Sequence, residues 1–74
     1  MSKSSENPTK TFGQNLYHLR NQAALTQEQL AERANISRRF LQEIEAGQKN
    51  PTIPLAARLR AALQCSWETL LRGL

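Results

Sequence analysis

The chain has 74 residues, of which 39% are hydrophobic and 5% aromatic, so it is long enough for one small domain and too short for a multidomain enzyme. Ten lysines and arginines against six acidic residues give a formal net charge of +4, the sign expected of a protein that binds a polyanion. A single cysteine, Cys65, excludes an internal disulfide and any zinc site built on paired cysteines.

The first ten residues are polar and carry no aliphatic side chain after Met1, which predicts a flexible tail at residues 1–10. The sequence contains neither a membrane-spanning run of ~18 apolar residues nor the hydrophobic stretch of a secretory signal. We therefore expect a cytoplasmic protein with no membrane partner, folded over residues 11–74.

Capping residues and helical spacing predict the first two helices. Thr11 and Gln14 have the spacing of a capping box at the start of the first helix, and Thr26 and Gln29 repeat it before a second helix that ends near Asn35. Apolar residues recur at helical spacing in both segments: Phe12, Leu16, Leu19 and Ala23 in the first, and Leu30, Ala31 and Ala34 in the second.

Three more helices are predicted in the rest of the chain, with Ser37, Thr52 and Ser66 as their N-terminal caps. Gly47 stands where the third helix needs a left-handed C-terminal cap, and the last helix runs from Trp67 to about Leu71. The predicted inward residues are Leu41 and Ile44 in the third helix, and Ala56, Leu59, Ala62 and Leu63 in the fourth. No segment alternates with the period of a strand, so the predicted fold is all-α with five helices.

The second and third predicted helices are separated only by the short stretch from Ala34 to Ile36, which is the spacing of a helix-turn-helix motif. In that motif the second helix presents its outward face to DNA. Here the outward face carries four polar side chains: Arg38, Arg39, Gln42 and Glu43. Arginine pairs with guanine, glutamine with adenine and glutamate with cytosine in the major groove, and each good pair gives ~1 to 3 kcal/mol of discrimination. We therefore predict a base-reading helix over about residues 37–46.

Four blocks of the sequence resemble the Cro/CI-type (XRE) helix-turn-helix proteins, and the similarity covers about residues 12–71. The blocks are Thr26-Gln27-Glu28-Gln29-Leu30-Ala31, Ala34-Asn35-Ile36-Ser37, Ile44-Glu45-Ala46-Gly47 and Pro51-Thr52-Ile53. The resemblance implies a compact five-helix domain like that of lambda repressor, with the helix-turn-helix formed by helices 2 and 3. It also implies a dimer that recognises a two-fold related operator on double-stranded DNA.

The resemblance further implies roles for residues outside the base-reading face. Phosphate contacts are implied at Gln27, Ser37, Lys49 and Asn50. Gln27 would also brace the first base-reading residue, whereas for Lys49 a solvated loop side chain is an equally good interpretation. An internal ion pair is implied between Arg20 and Glu45, at the ends of the first and third helices.

The sequence departs from the family pattern at a few positions. Phe40 replaces a residue that is more often small or polar, and its ring either packs against the first helix pair or touches a thymine methyl; we favour packing because buried rings are commoner. Leu55 is apolar where the family tends to be polar, which would widen the contact surface, and Arg60 replaces a small apolar residue. Cys65 is interpreted as a half-buried structural thiol rather than a redox switch.

The C-terminal segment carries more apolar surface than so short a chain easily buries, and we predict a homodimer interface there. Its predicted members are Trp67, Leu70, Leu71 and Leu74. For Trp67 and Leu70, closure of the monomer core is the alternative. Paired subunits of this kind place their recognition helices ~34 Å apart, one turn of DNA.

Two functions are compatible with these features. The first is a sequence-specific, DNA-binding transcriptional regulator, such as a phage-type repressor, a restriction-modification controller or an antitoxin-like autoregulator. The second is a protein-interaction module with the same fold, against which Arg38 and Arg39 argue because they are costly to desolvate in a protein interface. No catalytic residue, metal site, cofactor or small-molecule ligand is predicted, because no nucleophile and base or ligand cluster has the required spacing.

Overall fold

The computed structural model describes residues 7–74, which form five α-helices and contain no strand. The helices are α1 (Pro8–Gln22), α2 (Gln27–Ala34), α3 (Arg38–Glu45), α4 (Ile53–Leu63) and α5 (Trp67–Leu70). The predicted all-α, five-helix fold is therefore confirmed. Within this range no helix is both long and apolar enough to cross a membrane.

Helix α1 begins earlier than the sequence analysis predicted. Asn7 is its N-terminal cap, because the Asn7 side chain accepts the backbone N–H of Thr9 at 3.0 Å, and Thr11 already lies inside the helix. Pro8 fits the first turn because its missing N–H has no partner to lose there. The predicted flexible tail is wrong for residues 8–10, which belong to α1, and its first six residues lie outside the described part of the chain.

The other helix starts agree with the prediction. Thr26 and Gln29 form a reciprocal capping box, with N–H to side-chain distances of 3.0 and 2.9 Å. Ser37, Thr52 and Ser66 each accept the backbone N–H of the residue three positions later. These side chains satisfy N–H groups that a helix start leaves without an intrahelical partner.

Helix α3 is followed by a left-handed cap at Gly47, as its sequence predicts. Gly47 has a φ of +79°, a conformation that side chains with a Cβ rarely adopt. The N–H of Gln48 donates to the carbonyl of Glu43 at 2.9 Å, and the N–H of Gly47 donates to that of Ile44 at 3.0 Å. This Schellman motif stops the helix and starts the loop that leads to Thr52.

The helices enclose one apolar core. Helix α1 packs on α3 and α5, and α2 packs on α3 and α4. The core consists of Phe12, Leu16, Leu25, Leu30, Ala31, Ala34, Leu41, Ile44, Leu55, Ala56, Leu59 and Leu70. Gly13 lets α1 approach α3 closely, because an added Cβ would lie 2.3 Å from the carbonyl oxygen of Ile44.

Two leucines predicted or considered as surface contacts are core residues instead. Leu70 has no exposed surface, so the prediction that it belongs to a dimer interface is wrong: its side chain closes the core of its own subunit. Leu55 is 5% exposed and likewise adds to the core rather than to a contact surface. Both lie on short helices whose inward face is set by packing on neighbouring helices.

Candidate nucleic-acid interface

Helices α2 and α3 are joined by a tight turn of three residues, Asn35–Ser37. Asn35 adopts a left-handed conformation with a φ of +60°, and the N–H of Ile36 donates to the carbonyl of Ala31 at 2.9 Å. Ser37 then caps α3 by accepting the N–H of Phe40 at 3.0 Å. The turn thus holds α2 and α3 as one helix-turn-helix unit.

The orientation of α3 follows from its two buried residues. Leu41 and Ile44 are fully buried, so the opposite side of the helix faces solvent. The four predicted base-reading residues all lie on that side, where they line one open, shallow surface together with Ala46 and Gln48: Arg38, Arg39, Gln42 and Glu43. This surface presents guanidinium, amide and carboxylate groups, the chemical groups that pair with base edges.

Arg39 and Glu43 form an ion pair on this surface. Arg39 Nε lies 3.8 Å from Glu43 Oε2, across one helical turn. The side chain of Arg39 is 87% exposed and that of Glu43 only 28%, so the guanidinium is the more solvent-accessible partner. The pair draws Arg39 toward Glu43 while leaving most of its guanidinium open to solvent.

Glu45, the last residue of α3, anchors the helix to the rest of the domain. The ion pair implied by the family resemblance is present: Arg20 Nε lies 2.7 Å from Glu45 Oε2, and Arg20 Nη2 donates to Oε1 at 3.2 Å. Arg20 Nη1 also donates to the carbonyl of Leu25 at 2.9 Å. Both charged side chains are nearly buried, so their mutual contacts replace the water they lose.

Gln27 lies between this anchor and the outward surface of α3. Its Nε2 donates to Glu45 Oε1 at 3.0 Å, and it lines a shallow hollow together with Arg38. The bracing of the first base-reading residue by Gln27 stays a prediction, because the side-chain hydrogen bond of Gln27 is made to Glu45. The bond to Glu45 ties the start of α2 to the end of α3.

The loop after α3 contains two of the predicted phosphate contacts, Lys49 and Asn50. Gln48, Lys49 and Asn50 are all exposed. The side chain of Asn50 is held by α1, because the hydroxyl of Thr9 donates to Asn50 Oδ1 at 2.6 Å. No sequence signal joined these two residues, which are separated by 41 positions.

Phe40 does not take part in the exposed surface. Its ring is half-buried and packs against the core, as the packing interpretation predicts.

The side chains of Asn15 and Arg58 make contacts that the sequence does not predict. Asn15 Nδ2 donates to the carbonyls of Leu70 and Arg72, and Arg58 Nε donates to that of Ala34. The carbonyls of Leu70 and Ala34 are those of the last residues of α5 and α2, and all three bonds depend on tertiary packing rather than on any motif.

The C-terminal face is apolar and partly exposed. Trp67, Leu71 and Leu74 are 40%, 38% and 56% exposed. The guanidinium of Arg60 lies 5.4 Å from the centre of the Trp67 ring, and Arg60 Nη1 donates to the carbonyl of Cys65 at 3.2 Å. Arg60 is therefore used in packing, where its stem and guanidinium support the Trp67 ring.

Cys65 is half-buried, as the structural interpretation of this thiol predicts. Burial raises the pKa of the Cys65 thiol, and the nearby charge of Arg60 opposes that shift. Over residues 7–74, no group of three or more His, Cys, Asp or Glu residues is placed to hold a metal ion.

The sequence matches the family model described as helix-turn-helix over residues 16–70. It is 42% identical over 53 residues to the immunity repressor protein of Bacillus phage phi105, covering 72% of this chain and 37% of that protein. It is 37% identical over 57 residues to an uncharacterized HTH-type transcriptional regulator, y4dJ, of Sinorhizobium fredii, covering 77% of this chain and 74% of the relative. The chain thus spans little more than a third of the phage repressor.

Solved structures show the same architecture. The restriction-modification controller protein C.AhdI from Aeromonas hydrophila superimposes with a TM-score of 0.81 at 32% identity, over 84% of this chain and 94% of that one. The clp gene regulator ClgR from C. glutamicum superimposes with a TM-score of 0.86 at 29% identity, over 89% and 85% of the two chains. These similar proteins are regulators rather than enzymes by their descriptions.

Proposed function

The chain belongs to the Cro/CI-type (XRE) helix-turn-helix family of DNA-binding transcriptional regulators, and from this membership we propose that it binds a pseudo-palindromic operator as a homodimer. Helix α3 is the element proposed to enter the major groove. The observation that carries the proposal is the side of α3 opposite Leu41 and Ile44, which gathers two arginines, a glutamine and a glutamate on one open surface.

In the proposed complex, sequence is read by α3 and register is set by its surroundings. Arg38, Arg39, Gln42 and Glu43 contact base edges, in the pairings that arginine, glutamine and glutamate make in the major groove. Gln27, Ser37, Lys49 and Asn50 contact phosphates, which position the protein without identifying the sequence. The net charge of +4 supports association with the phosphate backbone and makes binding dependent on salt.

The proposed dimer uses the apolar C-terminal face. Trp67, Leu71 and Leu74 remain exposed in the single subunit, and a two-fold axis would bury the same patch on both partners. Repression is the favoured outcome of operator binding, because one similar protein is named as an immunity repressor. A role as a restriction-modification controller or an antitoxin-like autoregulator uses the same DNA-binding surface.

The alternative is a protein-interaction module that keeps the fold without specific DNA binding. In that case the surface of α3 would meet a protein, and the guanidinium groups of Arg38 and Arg39 would lose water without gaining phosphates or bases. The exposed position of both arginines on α3 therefore favours DNA over a protein partner.

Selection of bound duplexes from a random DNA pool tests the proposal at near-physiological salt, where non-specific binding has a Kd of roughly 10⁻⁴ to 10⁻⁶ M. We expect an enriched inverted repeat with half-site centres about one helical turn apart. The double variant R38A/R39A should keep its helical fold and enrich nothing. A pool that stays random with the wild-type protein would contradict the proposal and favour the interaction module. Retained specific binding by the double variant would contradict the proposed base-reading role of Arg38 and Arg39.

A further inference from the structure

The first turn of α1 packs on the loop that follows α3. The hydroxyl of Thr9 donates to Asn50 Oδ1 at 2.6 Å. At Gly47, an added Cβ would lie 3.1 Å from Lys10 Cα and 3.3 and 3.4 Å from Lys10 Cβ and Cγ. The stem of the Lys10 side chain therefore lies directly against the glycine that ends α3.

This packing makes one basic edge from two distant parts of the chain. Lys10 and Lys49 are both exposed, one on α1 and the other in the loop of residues 47–50. The first turn of α1 carries no acidic residue, so its helix start adds a partial positive charge to the same edge. The hydrogen bond from Thr9 orients the Asn50 side-chain amide so that its oxygen, Oδ1, faces α1. The hydrogen-bond donor of the amide, Nδ2, is at its other end.

We propose that Lys10 contacts a DNA phosphate, so that the first turn of α1 and the loop 47–50 form one surface for the phosphodiester backbone. The inference rests on the proposed function. A helix in the major groove is flanked by phosphates of both strands, and the loop at its C-terminal end meets one of them. The side chain of Lys10 starts in contact with Gly47 and has a long, flexible stem. Its ammonium group therefore reaches the DNA phosphate next to the one that Lys49 contacts.

The salt dependence of DNA binding tests the proposal directly. Each phosphate contact contributes ~0.9 to the slope of log K against log salt concentration on duplex DNA. We expect K10A to lower that slope by about 0.9 for each bound subunit, on the operator and on an unrelated duplex alike. At ~0.15 M salt this corresponds to about fivefold weaker binding for each subunit, given equal binding at 1 M.

The variants K10R and R33A are the matched controls. K10R keeps the charge and should keep the wild-type slope and most of the affinity. R33A removes one positive charge from the last turn of α2, where Arg33 is exposed, and should change the slope by much less than K10A. All variants should melt near the wild-type temperature, because each changed side chain is exposed.

A second pair of variants tests whether Thr9 positions this edge. T9V removes the hydroxyl that binds Asn50 and should weaken binding to both duplexes by a similar factor without changing the preferred operator sequence. T9S keeps the hydroxyl and should restore binding. Wild-type affinity of T9V on both duplexes would overturn the positioning role.

The outcomes separate this proposal from the proposed function. Suppose that the wild-type protein binds its operator but that K10A changes the salt slope no more than R33A does. That result overturns the Lys10 contact and leaves the proposed function intact. Wild-type protein that binds no duplex overturns both.

Discussion

Arg20 of α1 binds both carboxylate oxygens of Glu45, the last residue of α3, with Arg20 Nε at 2.7 Å and Arg20 Nη2 at 3.2 Å. Gln27 of α2 donates to the same carboxylate at 3.0 Å. Three helices therefore meet at one nearly buried side chain. The direction in which α3 presents its outward face depends on this junction, because Glu45 is the last residue of the helix.

Glu45→Ala should destabilise the protein by about 3 to 5 kcal/mol, because it leaves the nearly buried Arg20 without its partner. Urea denaturation followed by circular dichroism measures the change. Glu32→Ala, at an exposed position of α2, is the control and should unfold near the wild-type midpoint. A wild-type midpoint for Glu45→Ala would show that the ion pair contributes nothing to the fold.

Gly13→Ala should destabilise the protein even though alanine is the better helix former by ~1 kcal/mol. The added Cβ would lie 2.3 Å from the carbonyl oxygen of Ile44 and 2.8 Å from that of Glu45, so α1 must move away from α3. Overpacking of this kind costs about 1 to 3 kcal/mol. Gln14→Ala, at the exposed neighbouring position, should leave the thermal midpoint unchanged or raise it. Stabilisation by Gly13→Ala would refute the close approach.

Glu43→Ala should separate stability from recognition. The Arg39 to Glu43 pair is long, at 3.8 Å, and Arg39 is 87% exposed. Surface pairs of this kind contribute ~0 to 1 kcal/mol, so the thermal midpoint should stay close to wild type. Base preference should change at the positions read by Arg39 and Glu43, because Arg39 loses the charge that draws it toward α3. Selection from a random pool measures that preference. An unchanged preferred sequence would remove Glu43 from the reading surface.

Leu71→Asp should convert the proposed dimer into monomers, because it places a charge on the apolar C-terminal face. Sedimentation equilibrium measures the mass. Ile53→Asp is the matched control, since Ile53 is 78% exposed at the start of α4 and lies outside that face. Equal masses for wild type and Leu71→Asp would place any dimer contact elsewhere.

Cys65 should make the stability of the protein depend on alkaline pH. Burial raises the pKa of this thiol in the folded state. The stability that the protonated thiol contributes is therefore fully present below the unfolded pKa of about 8.5 and is lost as pH rises through the folded pKa. Above about pH 8.5, the free energy of unfolding of the wild type should therefore fall relative to that of C65A. Urea titrations on both sides of that pH measure it. A difference independent of pH would contradict the raised pKa.

Local chemistry allowed much of this structure to be predicted from the sequence alone. Four helix caps can be recognised because a side-chain oxygen binds an N–H only three residues away: Thr26, Ser37, Thr52 and Ser66. Gly47 can be recognised because a left-handed cap excludes most other residues. The inward stripe of Leu41 and Ile44 then assigned the four outward residues of α3 by helical periodicity alone.

Tertiary packing decided what lies between the elements. The N-terminal cap of α1 is Asn7 and not the predicted Thr11. Leu70 lies in the core and not on the predicted dimer surface. The contact of Thr9 with Asn50, and of Lys10 with Gly47, spans positions that no local pattern relates. Sequence periodicity determines which face of a helix is apolar, whereas the partner of each face depends on how all five helices share a single core, and only the folded chain fixes that arrangement.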